Sequence, residues 1–211
     1  MNDGFERVTA WLAAQNHPHA PMALPVAART AREAADGLGV ALGQIAKSVI
    51  FRRLADDVAV LVVASGDMRV DERKVAAITG PLGRADARFV KERTGFSIGG
   101  VSPVAHRARP VTLVDRELFR FDIVWAAAGH PNGVFAVAPA ALVALTGAPA
   151  ADVVQSVPSP CNEVCQVDPA LGWCRGCGRT LDEIAAWSTL DDADRLAVRA
   201  TAAARLGHGA P

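Results

Sequence analysis

Two groups of residues in this 211-residue chain have types and spacings that could do chemistry. The first is a single lysine, Lys47, in the β-branched run Ile45 to Arg52. If that run is a strand, its period of two puts Lys47 on one face with Ile45, Val49 and Phe51. An ammonium among such neighbours is either a lysine that snorkels from the strand end or a cation at a pocket floor, holding a phosphate or polarising a carbonyl. The second group is a cysteine cluster: Cys161, Cys165, Cys174 and Cys177 follow C-x3-C-x8-C-x2-C, and the preceding 160 residues contain none. Confinement to so short a stretch is unlike a disulfide framework, and in a reducing compartment it reads as four thiolates on one metal centre. Gly172, Gly176 and Gly178 allow the tight turns that such convergence requires. Tetrahedral zinc and an iron–sulfur cluster use the same ligands, and spacing does not separate them.

A nucleophile is harder to find. Ser48, Ser65, Ser97 and Ser102 lack a G-x-S-x-G context, the histidines at 17, 19, 106, 130 and 208 have no metal-ligand spacing, and every cysteine lies in the tail. A Ser-His-Asp hydrolase is therefore disfavoured.

The elements that must position these residues can be read from periodicity. Phe5, Val8 and Leu12 recur at helical spacing, and Thr30-Ala31-Arg32-Glu33 is a capping box before a short helix closed by Gly37, so two helices are expected before the first strand. Ile45 to Arg52 and Val58 to Ala64 predict a buried hairpin. Asp71 to Thr79 predicts a helix closed by Gly80-Pro81, and Asp86 to Arg93 another that Asp86 caps and Gly95 terminates. The Gly-rich loop from Gly95 to Pro103 can bring backbone close to a ligand. Val111 to Val114, Phe121 to Trp125 and Gly133 to Val137 are strand candidates, and Pro139 to Leu145 a helix with proline in its first turn. The sum is an α+β domain built on a mixed β-sheet with surrounding helices. After a proline-containing stretch come the cysteines, then a capping box at Thr180-Leu181-Asp182-Glu183 that starts a helix through Trp187, and a second helix near Asp191.

Composition narrows the partners. The chain is 51% hydrophobic and 21% charged, with 22 basic against 22 acidic side chains, so no global field draws it to nucleic acid and any RNA contact must be local. Arg52 with Arg53, Arg84 with Arg88, and Arg107 with Arg109 are local basic pairs that could meet phosphates or simply be solvated. No apolar run approaches the ~20 residues of a bilayer span, and the opening Met1-Asn2-Asp3-Gly4-Phe5-Glu6 carries acids where a secretory leader needs a basic start. A cytoplasmic protein with no membrane partner is expected.

Four segments in order, Gln44-Ile45-Ala46-Lys47-Ser48-Val49-Ile50-Phe51, Ala64-Ser65-Gly66-Asp67-Met68-Arg69-Val70-Asp71, Gly99-Gly100-Val101-Ser102-Pro103 and Ala127-Ala128-Gly129-His130, resemble the landmarks of the YbaK/ProX family of aminoacyl-tRNA deacylases. The resemblance spans nearly all of residues 1 to 155 and implies hydrolysis of wrongly charged tRNA without a cofactor. By it, Lys47 matches the family's functional lysine, and Gly100 and Pro103 frame its G-x-x-P pocket loop. It also suggests substrate contacts at Ser65, Gly66, Arg69, Asp71, Gly99, Val101, Ser102, Gly129 and His130. Three of these have alternatives: Asp71 could cap the helix after it, His130 could be a turn residue, and Arg69 could be structural. The family's answer to the missing nucleophile is to recruit the substrate's own ribose hydroxyl, leaving the protein to position the ester and stabilise the oxyanion. Within the family, Lys47 to Phe51 and Arg69 to Asp71 look closest to the branch that clears alanine or 2-aminobutyrate from tRNA for proline. The partners implied are the mischarged tRNA acceptor end and, beyond it, prolyl-tRNA synthetase or an elongation factor.

The tail, from Ser159-Pro160-Cys161 to Trp187, resembles a small bacterial domain of unknown function described as a predicted iron–sulfur protein. Two domains are thus expected, residues 1–157 and residues 158–207, separable at the linker. A rival reading keeps the fold but makes it a non-catalytic tRNA or synthetase binding module, with the tail as a metal-dependent docking adapter or sensor.

Overall fold

The computed structural model describes residues 3–25, 28 and 30–208, so Met1 and Asn2 of the acidic opening lie outside the described residues. The chain divides into two compact units: Met1–Val70 with Lys74–Val154, and Asp71–Arg73 with Gln155–Pro211.

In the first unit, helix α1 (Asp3–Ala14) buries Phe5, Val8 and Leu12, the stripe its spacing predicts. A two-residue strand β1 (Met22–Ala23) follows, too short to have a readable period, so a strand does separate the first two helices. Helix α2 (Ala31–Leu38) has both hydrogen bonds of its Thr30–Glu33 capping box and runs past the expected stop at Gly37 to a left-handed Gly39. Strands β2 (Ile45–Arg53) and β3 (Ala59–Ser65) form the expected antiparallel hairpin, in register from Ala46↔Ser65 to Arg52↔Ala59. Next come α3 (Glu72–Thr79), β4 (Leu82–Arg84) and α4 (Ala87–Thr94), the last capped by the Asp86 side chain and ended by left-handed Gly95. Strand β5 (Val111–Asp115), a 3-10 turn over Arg116–Arg120, β6 (Val124–Ala127), β7 (Gly133–Val137), α5 (Pro139–Thr146) and β8 (Ala150–Ala151) complete the unit. Strand β6 starts at Val124 rather than at Phe121, because the bend after the turn occupies residues 121–122.

The sheet is mixed. Its order is β1-β7-β6-β2-β3-β5-β8, with β4 pairing β2 as well. Strand β3 is buried throughout because cores lie on both of its faces. Val60, Val62 and Ala64 pack with Val70 and Val75, whereas Leu61 and Val63 pack with Phe5, Val8 and Phe96. That two-sided burial explains a continuous apolar run with no alternation.

One topological detail makes room for a site. Strand β3 takes one edge of β2, so β6 and β4 must share the other. There β6 pairs only Ile45 and Ala46, while β4 pairs Phe51 to Arg53. The backbone from Lys47 to Ile50 therefore has no neighbouring strand on that edge.

The second unit contains the cysteine segment, with an isolated bridge Val167↔Cys174, helix α6 (Leu181–Ala186) and helix α7 (Asp192–His208). The expected Thr180 capping box is present in full. Trp187 is completely buried, donates from its indole to the Gln155 side chain at 2.9 Å, and carries the Arg179 guanidinium over its ring at 4.9 Å. No helix among the described residues is long and apolar enough to cross a membrane.

Candidate active site

A cavity of about 250 Å³ opens at the gap in the sheet and is lined by Ile45 to Val49, by Gly99 and Val101 of the glycine-rich loop, and by the start of β7. Lys47 reaches it from the β2 face that also carries Val49 and Phe51, both packed against the Val60 and Val62 core. Its ammonium is not left unsatisfied, as the apolar face suggested. Nζ donates to the carbonyls of Gly66 at 3.1 Å and Met68 at 2.5 Å, just beyond the end of β3. Burial lowers the Lys47 pKa, and the charge of Arg69 adds to the effect, while Asp67 and Asp115 partly oppose it. Two carbonyl acceptors thus fix the direction of a cation that its surroundings make easier to deprotonate.

The turn that offers those carbonyls is itself tied down. Gly66 is the residue that fits, since a Cβ there would sit 2.2 Å from the Leu42 carbonyl. Ser65 is fully buried; its hydroxyl lies 2.6 Å from the Gly43 carbonyl and 2.8 Å from Asp67 Oδ1, and it accepts from Arg120 at 3.0 Å. Its amide donates to Asp115 Oδ2 at 3.1 Å. Ser65 is thus engaged in holding the turn. Burial raises the Asp115 pKa, whereas hydrogen bonds from Arg120 and Ser65 bring that of Asp67 below its usual range against the effect of burial. Asp67, Asp115 and Arg120 went unnoticed in the sequence, because nothing local marks residues scattered over 54 positions as neighbours.

The glycine-rich loop meets the Gly129-His130 turn directly. A Cβ on Gly100 would fall 2.7 Å from the His130 carbonyl carbon and 2.9 Å from the Pro131 nitrogen. Gly129, with φ +82°, packs so closely that a Cβ would meet the Gly4 carbonyl at 2.4 Å. Gly99 and Val101 line the cavity, and the Gly100 amide is used within the loop by the Ser97 carbonyl at 3.0 Å. Ser102 is fully buried and accepts from the Val104 amide, a local turn contact. Pro103 lines a different cavity. His130 Nδ1 accepts from the Asn132 amide at 3.1 Å, so its ring serves the turn. Arg69 is exposed, and its field reaches Lys47.

Asp71 lies in the second unit. It is 3% exposed, accepts from the Arg73 amide at 3.0 Å as a helix cap does, and forms an ion pair with fully buried Arg195 at 2.6 Å. The cap reading describes this geometry. Residues that sequence reasoning missed line the Lys47 cavity: Ala28, Ala31 and Ala34 beside α2, Trp125 on β6, and Ser48, whose buried hydroxyl has no hydrogen-bond partner. The three-residue spacing of those alanines was the available signal.

In the tail, all four cysteines are free thiols, Cys174 and Cys177 buried and Cys161 and Cys165 exposed. Among the described residues, no three metal-ligating side chains are gathered in a geometry that would hold an ion. Cys161 raises the Cys165 pKa through its charge, whereas amides of Cys177 and Gly176 hold Cys174 below its usual range although burial opposes them. Arg179 is 2% exposed, and its Nε and one terminal nitrogen have no partner. Four thiol donors in a segment that also holds a partly unpartnered buried guanidinium fit a centre that would carry net negative charge.

A family model for the aminoacyl-tRNA editing domain matches residues 26–145. The chain belongs to that family. A second model, for a protein of unknown function (DUF1289), matches residues 159–206. An uncharacterized protein, YwhH, from Bacillus subtilis (strain 168) is 38% identical over 111 residues, covering 52% of this chain and 70% of its own. Among solved structures, one described as "a putative trans-editing enzyme for prolyl tRNA synthetase" superposes with a TM-score of 0.69 at 37% identity, covering 74% of this chain and 99% of that one. The hypothetical protein APE2540 superposes with a TM-score of 0.66 at 34% identity, over 71% and 99% of the two chains. The editing family's YbaK-like α+β fold is thus the fold of this chain, and tRNA is its substrate class.

Proposed function

We propose that this editing domain hydrolyses the ester linking a small non-cognate amino acid, alanine or 2-aminobutyrate, to tRNA for proline, in the cytoplasm. The observation that carries the reading is the shape and lining of the Lys47 cavity. At about 250 Å³ it suits an amino acid rather than a larger ligand, and Ala28, Ala31, Ala34, Ala46 and Ala127 give it a short-chained apolar wall. The likeness to a structure described as a trans-editing enzyme for prolyl tRNA synthetase supports the choice of tRNA.

In this reading Lys47, aimed by the Gly66 and Met68 carbonyls, orients the aminoacyl ester. The ribose hydroxyl beside the ester helps water attack the carbonyl carbon. The tetrahedral oxyanion is met by loop amides near Val101, and the ester C–O bond breaks to give free amino acid and tRNA. Ser48 has a hydroxyl but no base within hydrogen-bond reach, so it is a binding group rather than a nucleophile. Editing supplies what binding cannot, because one methylene changes affinity by only ~1 to 3 kcal/mol in a pocket. Prolyl-tRNA synthetase or an elongation factor would deliver the substrate. In the tail, Cys161, Cys165, Cys174 and Cys177 hold one zinc ion or iron–sulfur cluster, with Arg179 offsetting the charge of its thiolates. The test is a deacylation panel of prolyl-, alanyl-, 2-aminobutyryl- and cysteinyl-tRNA for proline. Faster turnover of the alanyl or 2-aminobutyryl ester is expected; inactivity on all four would overturn the reading in favour of a binding module.

A further inference from the structure

A second cavity in the first unit, about 640 Å³, is not the one that holds Lys47. It lies between α1, the loop from Pro103 to Pro110 and the end of α5, and its charged lining is entirely basic: Arg7, Arg107 and Arg109, with His106 among them. Among the other basic pairs, Arg52 pairs with Asp57, Arg53 with Asp56 and Arg88 with Glu92, although Arg84, like Arg107 and Arg109, forms no ion pair among the described residues.

Three further observations make this more than a solvated surface. Arg7 and His106 each have a buried nitrogen, one terminal guanidinium nitrogen and Nε2, with no hydrogen-bond partner. Leaving such buried polar atoms unmet costs free energy that a ligand can return. Ala105 is held at φ +60°, a region that non-glycine residues avoid, and its carbonyl accepts from Arg7 Nε at 2.9 Å. Arg7 is also fixed over the Phe96 ring at 4.4 Å. The strained loop and the stacked guanidinium give a preorganised basic wall. Exposed Asp3 occupies one end of Arg7 at 3.3 Å. Apolar lining from Trp11, Val104 and Leu145 offers a flat surface beside the cations.

We propose that this cavity binds the phosphoryl group of a nucleotide, with Arg7, Arg107 and Arg109 taking the phosphate oxygens, His106 Nε2 accepting from a ribose hydroxyl, and Trp11 the base. Arginine forks match phosphate oxygens geometrically, and an indole face accepts any base. Burial lowers the His106 pKa to about 4 and keeps the ring neutral, and because its other nitrogen donates to the Ser102 carbonyl, Nε2 is an acceptor that a ribose hydroxyl can meet. The nucleotide can be free or part of an RNA strand, and the two sources share the same chemistry.

The experiment follows the Trp11 indole and His106 ring resonances of the full chain during titration with inorganic phosphate, AMP and a short single-stranded RNA, with Trp11→Phe to assign the indole. Saturable shifts with phosphate and AMP are expected, weakened at least tenfold in the Arg107→Ala/Arg109→Ala double variant. Both arginines are exposed, so that variant should fold, which Arg7→Ala could fail to do. RNA binding more than tenfold tighter than AMP assigns the site to a strand; equal or weaker binding assigns it to a free nucleotide. Lys47→Ala should bind all three probes normally, which separates this site from the editing pocket. No saturable shift with any probe, or shifts untouched by the double variant, would overturn the proposal.

Discussion

Gly100 lies against the backbone of His130 so closely that a Cβ on it would fall 2.7 Å from the His130 carbonyl carbon. The contact joins two segments thirty residues apart in sequence, and neither partner is a flexible side chain that could move aside. Gly100→Ala must therefore push the loop off the turn. The expected cost is ~1 to 3 kcal/mol, as for other overpacked sites, and the displaced Gly99 and Val101 should lower deacylation at least tenfold. A thermal melt beside single-turnover hydrolysis of alanyl-tRNA for proline checks both; wild-type stability and rate would show that the close approach is dispensable.

Lys47→Ala should reduce deacylation by on the order of a hundredfold or more, the usual effect of losing a preorganised electrostatic contact. Its effect on stability is opposite to what an unpaired cation would give. Removing Nζ leaves the Gly66 and Met68 carbonyls without their donor, so the protein should lose ~1 to 3 kcal/mol rather than gain. Lys47→Arg should also be impaired, because a planar fork cannot replace a compact ammonium between two carbonyls. A folded Lys47→Ala chain with unchanged turnover would refute the site.

Much of this arrangement was legible in the sequence where the signal is local. The Phe5, Val8 and Leu12 stripe, the Thr30 and Thr180 capping boxes and the Asp86 cap each act within one turn of helix, and each is present. What escaped depends on distant pairing. Strands of two or three residues, β1, β4 and β8, have no readable period, and they are strands only because β7, β2 and β5 supply their edges. The same holds for the site. Lys47 stood out by breaking an apolar face, but its carbonyl partners come from across the hairpin, and the alanines opposite it come from another helix. Asp71 shows the same limit: its cap role was visible locally, and its partner Arg195, 124 positions away, was not.

The Asp71–Arg195 pair leads to a stability prediction of its own. Arg195 is fully buried and Asp71 nearly so, at 2.6 Å. Breaking such a pair from one side leaves an uncompensated buried charge, and ~3 to 5 kcal/mol is the usual cost. Arg195 also pairs with Asp192 at 2.9 Å, so Asp71→Asn leaves it one carboxylate and should cost less, ~1 to 3 kcal/mol, whereas a chain ended near Val157 lacks Arg195 altogether and should lose more. Denaturant unfolding of both, beside the full chain, is the measurement; a truncated chain as stable as the first unit of the full protein would show that Asp71 tolerates the loss.

His106 should contribute an acid-sensitive component to stability. Burial lowers its folded pKa from 6.5 to about 4, with the charge of Arg7 acting in the same direction and the Ser102 carbonyl opposing. The native ring therefore binds fewer protons than the unfolded one between these values. Stability from this group is complete above about pH 6.5 and is lost as pH falls towards 4, by on the order of 2 to 3 kcal/mol. His106→Gln should flatten that part of the pH profile relative to wild type. Identical slopes for the two proteins between pH 6.5 and 4 would show that the ring titrates normally.

Arg179 offers a test of the cysteine centre that does not depend on editing. With no centre, two nitrogens of this buried guanidinium lack hydrogen-bond partners and only the Trp187 ring offsets its charge, so Arg179→Met should stabilise the chain by ~1 to 3 kcal/mol. With a tetrathiolate metal centre in place, the same guanidinium offsets net negative charge, so Arg179→Met should weaken metal retention and lower the melting temperature. The sign of the substitution should thus reverse between chelator-treated and metal-loaded protein. Cys174→Ser should abolish the reversal, because it removes one of the buried ligands. Colourless zinc-containing protein would identify the ion, whereas visible charge-transfer absorption would indicate iron and sulfide. Metal-free protein at every stage of purification, with Arg179→Met acting the same way under all conditions, would show that the four thiols hold no centre.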